Sequence, residues 1–202
     1  MKENYQKVME EILKNIDGQT LLLHSCCAPC SSYVIKLLSD YFKITIFYYN
    51  PNISPEDEYQ KRVKEQIKFI NNLTTKYKVD FIEGDYEHEK FLKISKGLEN
   101  ELEGGKRCFE CYRQRLEKTA MLAQSKKYDY FCTTLSVSPY KNASKLNEIG
   151  KELEQKYKVK YLYSDFKKKD GYKKSIELSK QYNLYRQDYC GCKFSREILL
   201  NK

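Results

Sequence analysis

The sequence predicts a single α/β domain, a mostly parallel sheet with helices on both faces. Three observations carry this. Apolar runs of strand length alternate with amphipathic stretches of helical period along the whole chain. Turn formers punctuate the junctions, among them Gly18, Asn50-Pro51-Asn52 and Gly104-Gly105. No repeat, linker or change of composition divides the 202 residues, and that length buries one core without staples.

In order, Tyr5, Val8, Met9, Ile12, Leu13 and Ile16 recur at helical spacing, so 3–16 reads as a helix ended near Gly18. Thr20 to His24 (TLLLH) suits a buried strand. It empties into Ser25-Cys26-Cys27-Ala28-Pro29-Cys30, and SSYVIKLLSDYF then reads as helix. Lys43 to Tyr49 is a second strand, broken by Asn50-Pro51-Asn52. Pro55 opens a helix with Tyr59, Val63, Ile67 and Ile70 on one face. Val79 to Ile82 is a third strand, followed by a helix around 87–97. Gly104-Gly105 precede another helix, which contains Cys111 and runs to about Lys126. Asp129 to Cys132 is a fourth strand, Leu146, Ile149 and Leu153 mark a helix, and Val159 to Tyr163 is a fifth strand. Residues 172–183 read as helix, and a Cys-rich turn and short helix close the chain. Ligands of parallel sheets gather beyond the carboxyl ends of the strands. Cys26, Cys27, Asn50 and Thr133-Thr134 all fall on that edge.

Charge points to a partner class. There are 37 Lys+Arg against 28 Asp+Glu, a net +9 that favours a polyanion such as nucleic acid. Lys167, Lys168, Lys169, Lys173 and Lys174 either track a phosphate backbone or form a solvated face. The N-terminal stretch lacks the apolar run of a signal peptide, and no run approaches the roughly 20 apolar residues of a membrane span. The expectation is a cytoplasmic protein with no membrane partner. In that compartment the eight cysteines read as thiols, metal ligands or redox pairs, not a disulfide framework. No G-x-S-x-G, Walker loop or His/Asp/Ser constellation supports a hydrolase or P-loop enzyme.

The cysteines fall into three groups and a singleton. Cys26, Cys27 and Cys30 occupy a strand-to-helix turn; Cys108 and Cys111 form a C-x-x-C at a helix start; Cys190 and Cys192 flank Gly191. A C-x-x-C near a helix N-terminus supplies two thiolates but cannot complete a four-thiolate site, and Cys26-Cys27 are the natural partners. Both a [4Fe–4S] cluster and a tetrahedral zinc ion are open on this reading, adjacent cysteines fitting the larger cluster better. Cys30 is a fifth ligand, a ligand to a second metal, or a packing residue. The glycine of Cys190-Gly191-Cys192 lets the two sulfurs pair as a reducible disulfide, a two-electron store. Cys132, in an apolar strand, reads as a small hydrophobe. His24 beside the cysteines either ligates or is a satisfied core histidine.

HSCCAPCSSY, FYYNPNISPEDEYQKR, GGKRCFECYRQRLEKTA, DYFCTTLSVSPYKN and FKKKDGYKKSIELSKQYNLYRQDYCGC, in this order, resemble the QueH epoxyqueuosine reductases over about residues 20–195. The resemblance implies a Rossmann-like sheet of the adenine-nucleotide alpha-hydrolase-like kind. It implies two-electron reductive opening of the epoxide of epoxyqueuosine at the tRNA wobble position, giving queuosine. It maps cluster ligands onto Cys26, Cys27, Cys108 and Cys111, and a redox-active pair onto Cys190 and Cys192. It also implies an additional mononuclear iron, which Cys30 is placed to serve. The partners are then tRNA bearing epoxyqueuosine in its anticodon and an unidentified electron donor. The whole chain, 1–202, is expected to be one catalytic domain whose segment from about 165 to 202 closes over the site, with Tyr48, Tyr49 or Tyr140 stacking on the base. Two rivals stand beside it. An adenylating, sulfur-transferring tRNA modifier needs a glycine-bearing phosphate loop where this chain has Ser25-Cys26-Cys27-Ala28-Pro29-Cys30. A zinc-bound RNA-binding module needs no catalysis.

Overall fold

The computed structural model describes residues 3–200, with side chains as far as Arg196. Its strands are β1 (Thr20–His24), β2 (Lys43–Tyr48), β3 (Asp80–Glu83), β4 (Tyr130–Thr133) and β5 (Lys160–Tyr161). They form one sheet in the order β3-β2-β1-β4-β5, and every pairing is parallel. The helices are α1 (Tyr5–Leu13), α2 (Ala28–Leu38), α3 (Glu56–Asn72), α4 (His88–Ser95), α5 (Lys106–Ser125), α6 (Ala143–Tyr157), α7 (Gly171–Gln181) and α8 (Lys193–Leu200).

The central strand shows why the chain makes two layers of helix. Leu21, Leu22 and Leu23 are all fully buried, as a strand covered on both faces requires. Their side chains alternate. Leu21 and Leu23 enter a core with Met9 and Leu13 of α1, Val34 and Leu38 of α2, and Phe69 of α3. Leu22 enters the opposite core with Leu116 and Ala120 of α5 and Leu146 and Ile149 of α6. The expected α/β architecture is therefore present, and the Rossmann-like sheet is wholly parallel. Because β1 is flanked by β2 on one side and β4 on the other, the chain reverses its direction of travel there. The crevice between the carboxyl ends of β1 and β4, where His24 stands beside Thr133, is the natural ligand position.

Element ends differ from expectation where side chains intervene. Helix α1 starts at Tyr5 because the Asn4 side chain accepts from the Lys7 N–H at 3.3 Å and caps it, and it ends at Leu13, short of the expected residue 16. Strand β5 has two residues where five were expected. After Leu162 donates to the Phe131 carbonyl at 3.0 Å, the Asn147 amide donates to the Ser164 carbonyl at 2.8 Å and accepts from the Ser164 N–H at 2.9 Å, which draws the chain off the edge. A 3₁₀ turn over Thr134–Val137 was not anticipated; the Thr133 hydroxyl accepts from the Leu135 N–H at 3.2 Å and winds it. Among the described residues no helix is long and apolar enough to cross a membrane.

Candidate active site

The loop after β1 is laced to its neighbours from every side. Ser25 N–H donates to the Phe47 carbonyl at 3.1 Å, and the Asn50 amide donates to the Ser25 carbonyl at 2.8 Å. The Tyr48 hydroxyl donates to the Cys26 carbonyl at 3.3 Å, and Gln66 of α3 accepts from the hydroxyls of Ser25 and Ser31 at 2.7 and 2.9 Å. Cys27 sits at the N-cap of α2, with Pro29 in its first turn. These ties bring the sulfurs of Cys26, Cys27 and Cys30 within 4.8 Å of one another at the positive end of a helix. The Cys26 and Cys27 sulfurs are 3.9 Å apart, and Cys26 reaches across the crevice to the Thr134 hydroxyl at 3.7 Å.

Of this trio, Cys26 is the sulfur whose surroundings favour the thiolate. Contacts from the Cys27 and Cys30 thiols, with Arg115 nearby, outweigh burial and hold Cys26 well below the ordinary thiol range. Bonding to Cys26 pushes Cys27 up to about 12, and the same contact raises Cys30 well above its usual value. Three sulfurs able to shed protons to a bound cation are what a thiolate ligand set requires. All eight cysteines are free thiols.

Helix α5 begins beyond Gly105, which places Cys108 in its first turn, where its sulfur accepts from the Gly104 N–H at 3.3 Å. Cys111 is buried, and burial pushes it up to about 11. One turn on, Arg115 donates to the Cys111 carbonyl at 3.1 Å and is itself 1% exposed. Burial disfavours its charge, and the fields of Cys111, Cys190 and Cys26 more than compensate. Arg115 thus faces all three cysteine groups. The structure draws Cys26 and Cys27 more tightly to Cys30 than to Cys108 and Cys111, whose sulfurs lie outside the 4.8 Å trio. Three cysteine sulfurs this close together could hold a metal ion.

A cavity of about 740 Å³ opens over the trio, lined by Cys26, Cys27, Cys30, Cys190, Arg62 and Arg115. Tyr140, 71% exposed, stands at its rim with Leu102. The Cys190-Gly191-Cys192 loop is held at the cavity by α3 and the turn that precedes it. Ser54 N–H donates to the Gly191 carbonyl at 2.9 Å; Arg62 donates to the Cys190 carbonyl at 3.4 Å and pairs with Glu58 at 2.7 Å. Gly191 has φ +101°, and a Cβ there would stand 2.9 Å from the Arg62 guanidinium, so this position needs glycine. The Cys192 thiol, followed by Lys141 and Arg115, outweighs burial and holds Cys190 well below its ordinary value, while Cys192 is raised by the same contact. Cys192 packs with Cys111, Phe91 and Phe194.

Other candidates resolve into the fold. His24 is fully buried, and burial pushes it down to about 3, so it is neutral. Its Nε2 faces the Tyr49 carbonyl at 3.1 Å and must donate; its Nδ1 accepts from the Thr133 hydroxyl at 2.8 Å. With both nitrogens engaged, it is the satisfied core histidine. Tyr48 and Tyr49 are also buried, which leaves Tyr140 as the one of the three expected stacking aromatics that is exposed. Cys132 is a buried thiol bonded to the Leu162 carbonyl at 3.2 Å. Of the five lysines around 167–174, Lys167 pairs with Asp165 and Lys169 with Glu10, so the stretch is no uniform free face. Sequence reasoning missed Arg115, Arg62 and the Lys141–Glu103 pair. Arg115 was findable, lying i+4 from Cys111 and i+7 from Cys108 on one helical face. Glu103 left no signal.

Free thiols around a cavity, at the sheet edge that receives nucleotides in other parallel α/β folds, suit thiol redox or metal-thiolate chemistry. The family model for epoxyqueuosine reductase QueH matches residues 21–198. The chain is 47% identical to the epoxyqueuosine reductase QueH of Staphylococcus epidermidis, over 96% of this chain and 85% of that one. It is 40% identical to that of Streptococcus pyogenes, over 98% and 80%, and 38% identical to that of Thermotoga maritima, over 87% and 90%. The chain belongs to the epoxyqueuosine reductase QueH family.

Proposed function

We propose that this protein reduces epoxyqueuosine to queuosine at the wobble position of tRNA, in the cytoplasm, with a [4Fe–4S] cluster and a dithiol. One observation carries the reading: three thiols stand within 4.8 Å of one another beneath a cavity that Cys190 also lines. Family membership supports the substrate. The overall change is epoxide plus two electrons and two protons to alkene plus water.

Cys26, Cys27, Cys108 and Cys111 would hold the cluster, and Cys30 would serve an additional iron. Such groups supply one-electron transfer and, at an open iron position, Lewis acidity. The chain's own residues do the rest. Cys190 as thiolate and Cys192 as thiol form the store; closing their disulfide releases two electrons and one proton. An external reductant then restores the dithiol. Arg115 compensates the thiolate charge facing it from three directions. The cavity falls within the roughly 300–1,000 Å³ of ligand pockets and admits a base turned out of the anticodon stack. Tyr140 at its rim offers a stacking face, and the net +9 charge favours the phosphate backbone. The segment from about 165 to 202 is the closing element. Its attachment to α3 supports this: Tyr185 N–H donates to Glu65 at 2.8 Å, and Lys61 lies 3.4 Å over the Tyr185 ring.

Iron and acid-labile sulfide, quantified on anoxically prepared protein, test the reading together with visible and EPR spectra. Roughly four irons per chain are expected, five with the additional iron. Cys26→Ala and Cys108→Ala lose cluster and turnover together, whereas Cys190→Ala keeps the cluster and does not turn over. A colourless protein with stoichiometric zinc would overturn the proposal.

A further inference from the structure

Cys190 and three other residues, drawn from three separate segments, form a ring of hydrogen bonds. The Lys141 ammonium donates to that sulfur at 3.4 Å and to a Glu103 carboxylate oxygen at 2.6 Å. The other Glu103 oxygen accepts from the Ser195 hydroxyl at 3.5 Å, and that hydroxyl accepts from the Cys190 N–H at 3.3 Å. The ring is closed. Lys141 is 8% exposed, a depth at which an ammonium without negative partners is strongly disfavoured. Burial alone would lower its proton affinity; Cys190, Tyr112 and Glu103 together raise it well above the usual value.

We infer that Lys141, anchored by Glu103, is the positioning residue that keeps Cys190 the reactive sulfur of the dithiol. The inference rests on the redox role proposed for Cys190 and Cys192 and goes beyond it by naming the cation that, beside the Cys192 thiol, maintains their asymmetry. Several other groups face Cys190: Cys192 from its own loop, and Arg115, Cys111 and Tyr112 from α5. Arg62 of α3 meets only the carbonyl. Lys141 is the cation in hydrogen-bonding contact with the sulfur. Glu103 restrains it, since an ammonium shared with a carboxylate is a weaker partner to a thiolate than a free one.

The step this arrangement serves is balanced within the dithiol. The Cys190 thiolate and Cys192 thiol form an S–S bond, losing two electrons and the Cys192 proton. The electrons go to the epoxide as its oxygen leaves; the oxygen takes that proton and a second from water. When the thiolate charge disappears, Lys141 retains Glu103, so the oxidised state leaves no unpaired buried ammonium.

The test uses cluster-loaded, full-length protein reduced with a phosphine. Iodoacetamide labelling of Cys190 and of Cys192 is read separately by peptide mass spectrometry across pH. Lys141→Met should slow labelling of Cys190 at pH 7 by roughly tenfold, about one unit of thiol pKa. Lys141→Arg, which keeps the charge, should recover most of the rate. An unchanged rate and pH profile in a folded Lys141→Met protein would overturn the inference. Should that variant fail to fold, Glu103→Gln decides, because freeing the ammonium should speed Cys190 labelling and an unchanged or slower rate refutes it. Failure of the redox reading itself looks different: Cys190→Ala would then turn over normally, and mild oxidation of the wild type would leave two free thiols at 190 and 192.

Discussion

Arg62→Met tests how the dithiol loop is held. The guanidinium is 2% exposed, pairs with Glu58 at 2.7 Å, donates to the Cys190 carbonyl at 3.4 Å, and lies 5.2 Å from the centre of the Tyr189 ring. Methionine fills similar volume and leaves Glu58 without its cation. Breaking a fully buried pair costs about 3–5 kcal/mol. Glu58 keeps some access to water and a bond from the Tyr185 hydroxyl at 3.3 Å, so the cost falls below that range, to about 2–3 kcal/mol. For a domain of this size that lowers the melting midpoint by roughly 4–12 °C. Urea unfolding gives the free energy directly. Turnover should fall further than stability does, because the Cys190 carbonyl is released while the cysteines of α2 and α5 keep their places. Arg62→Lys, which holds charge but not the two-sided fork, should be intermediate. A variant with unchanged midpoint and unchanged single-turnover rate would refute the idea that α3 positions the loop.

Three other outcomes are expected. Gly150→Ala places a Cβ 2.3 Å from the buried Tyr161 ring and should destabilise by about 1–3 kcal/mol, read as a lower midpoint with catalysis intact at low temperature. Tyr140→Ala at the exposed rim should leave the melt unchanged but weaken tRNA binding by about 1–3 kcal/mol in a titration at fixed salt; equal affinity would remove it as a stacking residue. Asp129 accepts from the Thr20 N–H and hydroxyl at 2.8 and 2.7 Å, and these bonds hold its carboxyl below the ordinary range. Its contribution is complete above the ordinary carboxylate range and is lost as pH falls through its lowered value, so Asp129→Asn should flatten the acid limb of a stability-versus-pH curve.

The sheet was legible because its determinants are local. TLLLH and KITIFY carry their burial in composition, and the helices between them show a 3.6-residue apolar stripe that no neighbour had to supply. Strand β5 was overestimated for a complementary reason. Val159 to Tyr163 has strand composition throughout, but Asn147 from α6 competes for the backbone of Ser164 and wins. Likewise, Tyr48 and Tyr49 look like stacking residues in sequence and prove to be core.

From its residues alone the chain declared its fold class, the edge of the sheet where the cavity opens, and the cysteine groups beside it. Those properties depend on periodicity, turn residues and short-range spacing, which are written in consecutive positions. Tertiary structure decided that Arg115 faces three cysteine groups and that Lys141 and Glu103 meet at Cys190. Such meetings join residues tens of positions apart, and they depend on how helices seat against the sheet. Charge is compensated across space, not along the chain, so its partners emerge only once the layers have packed.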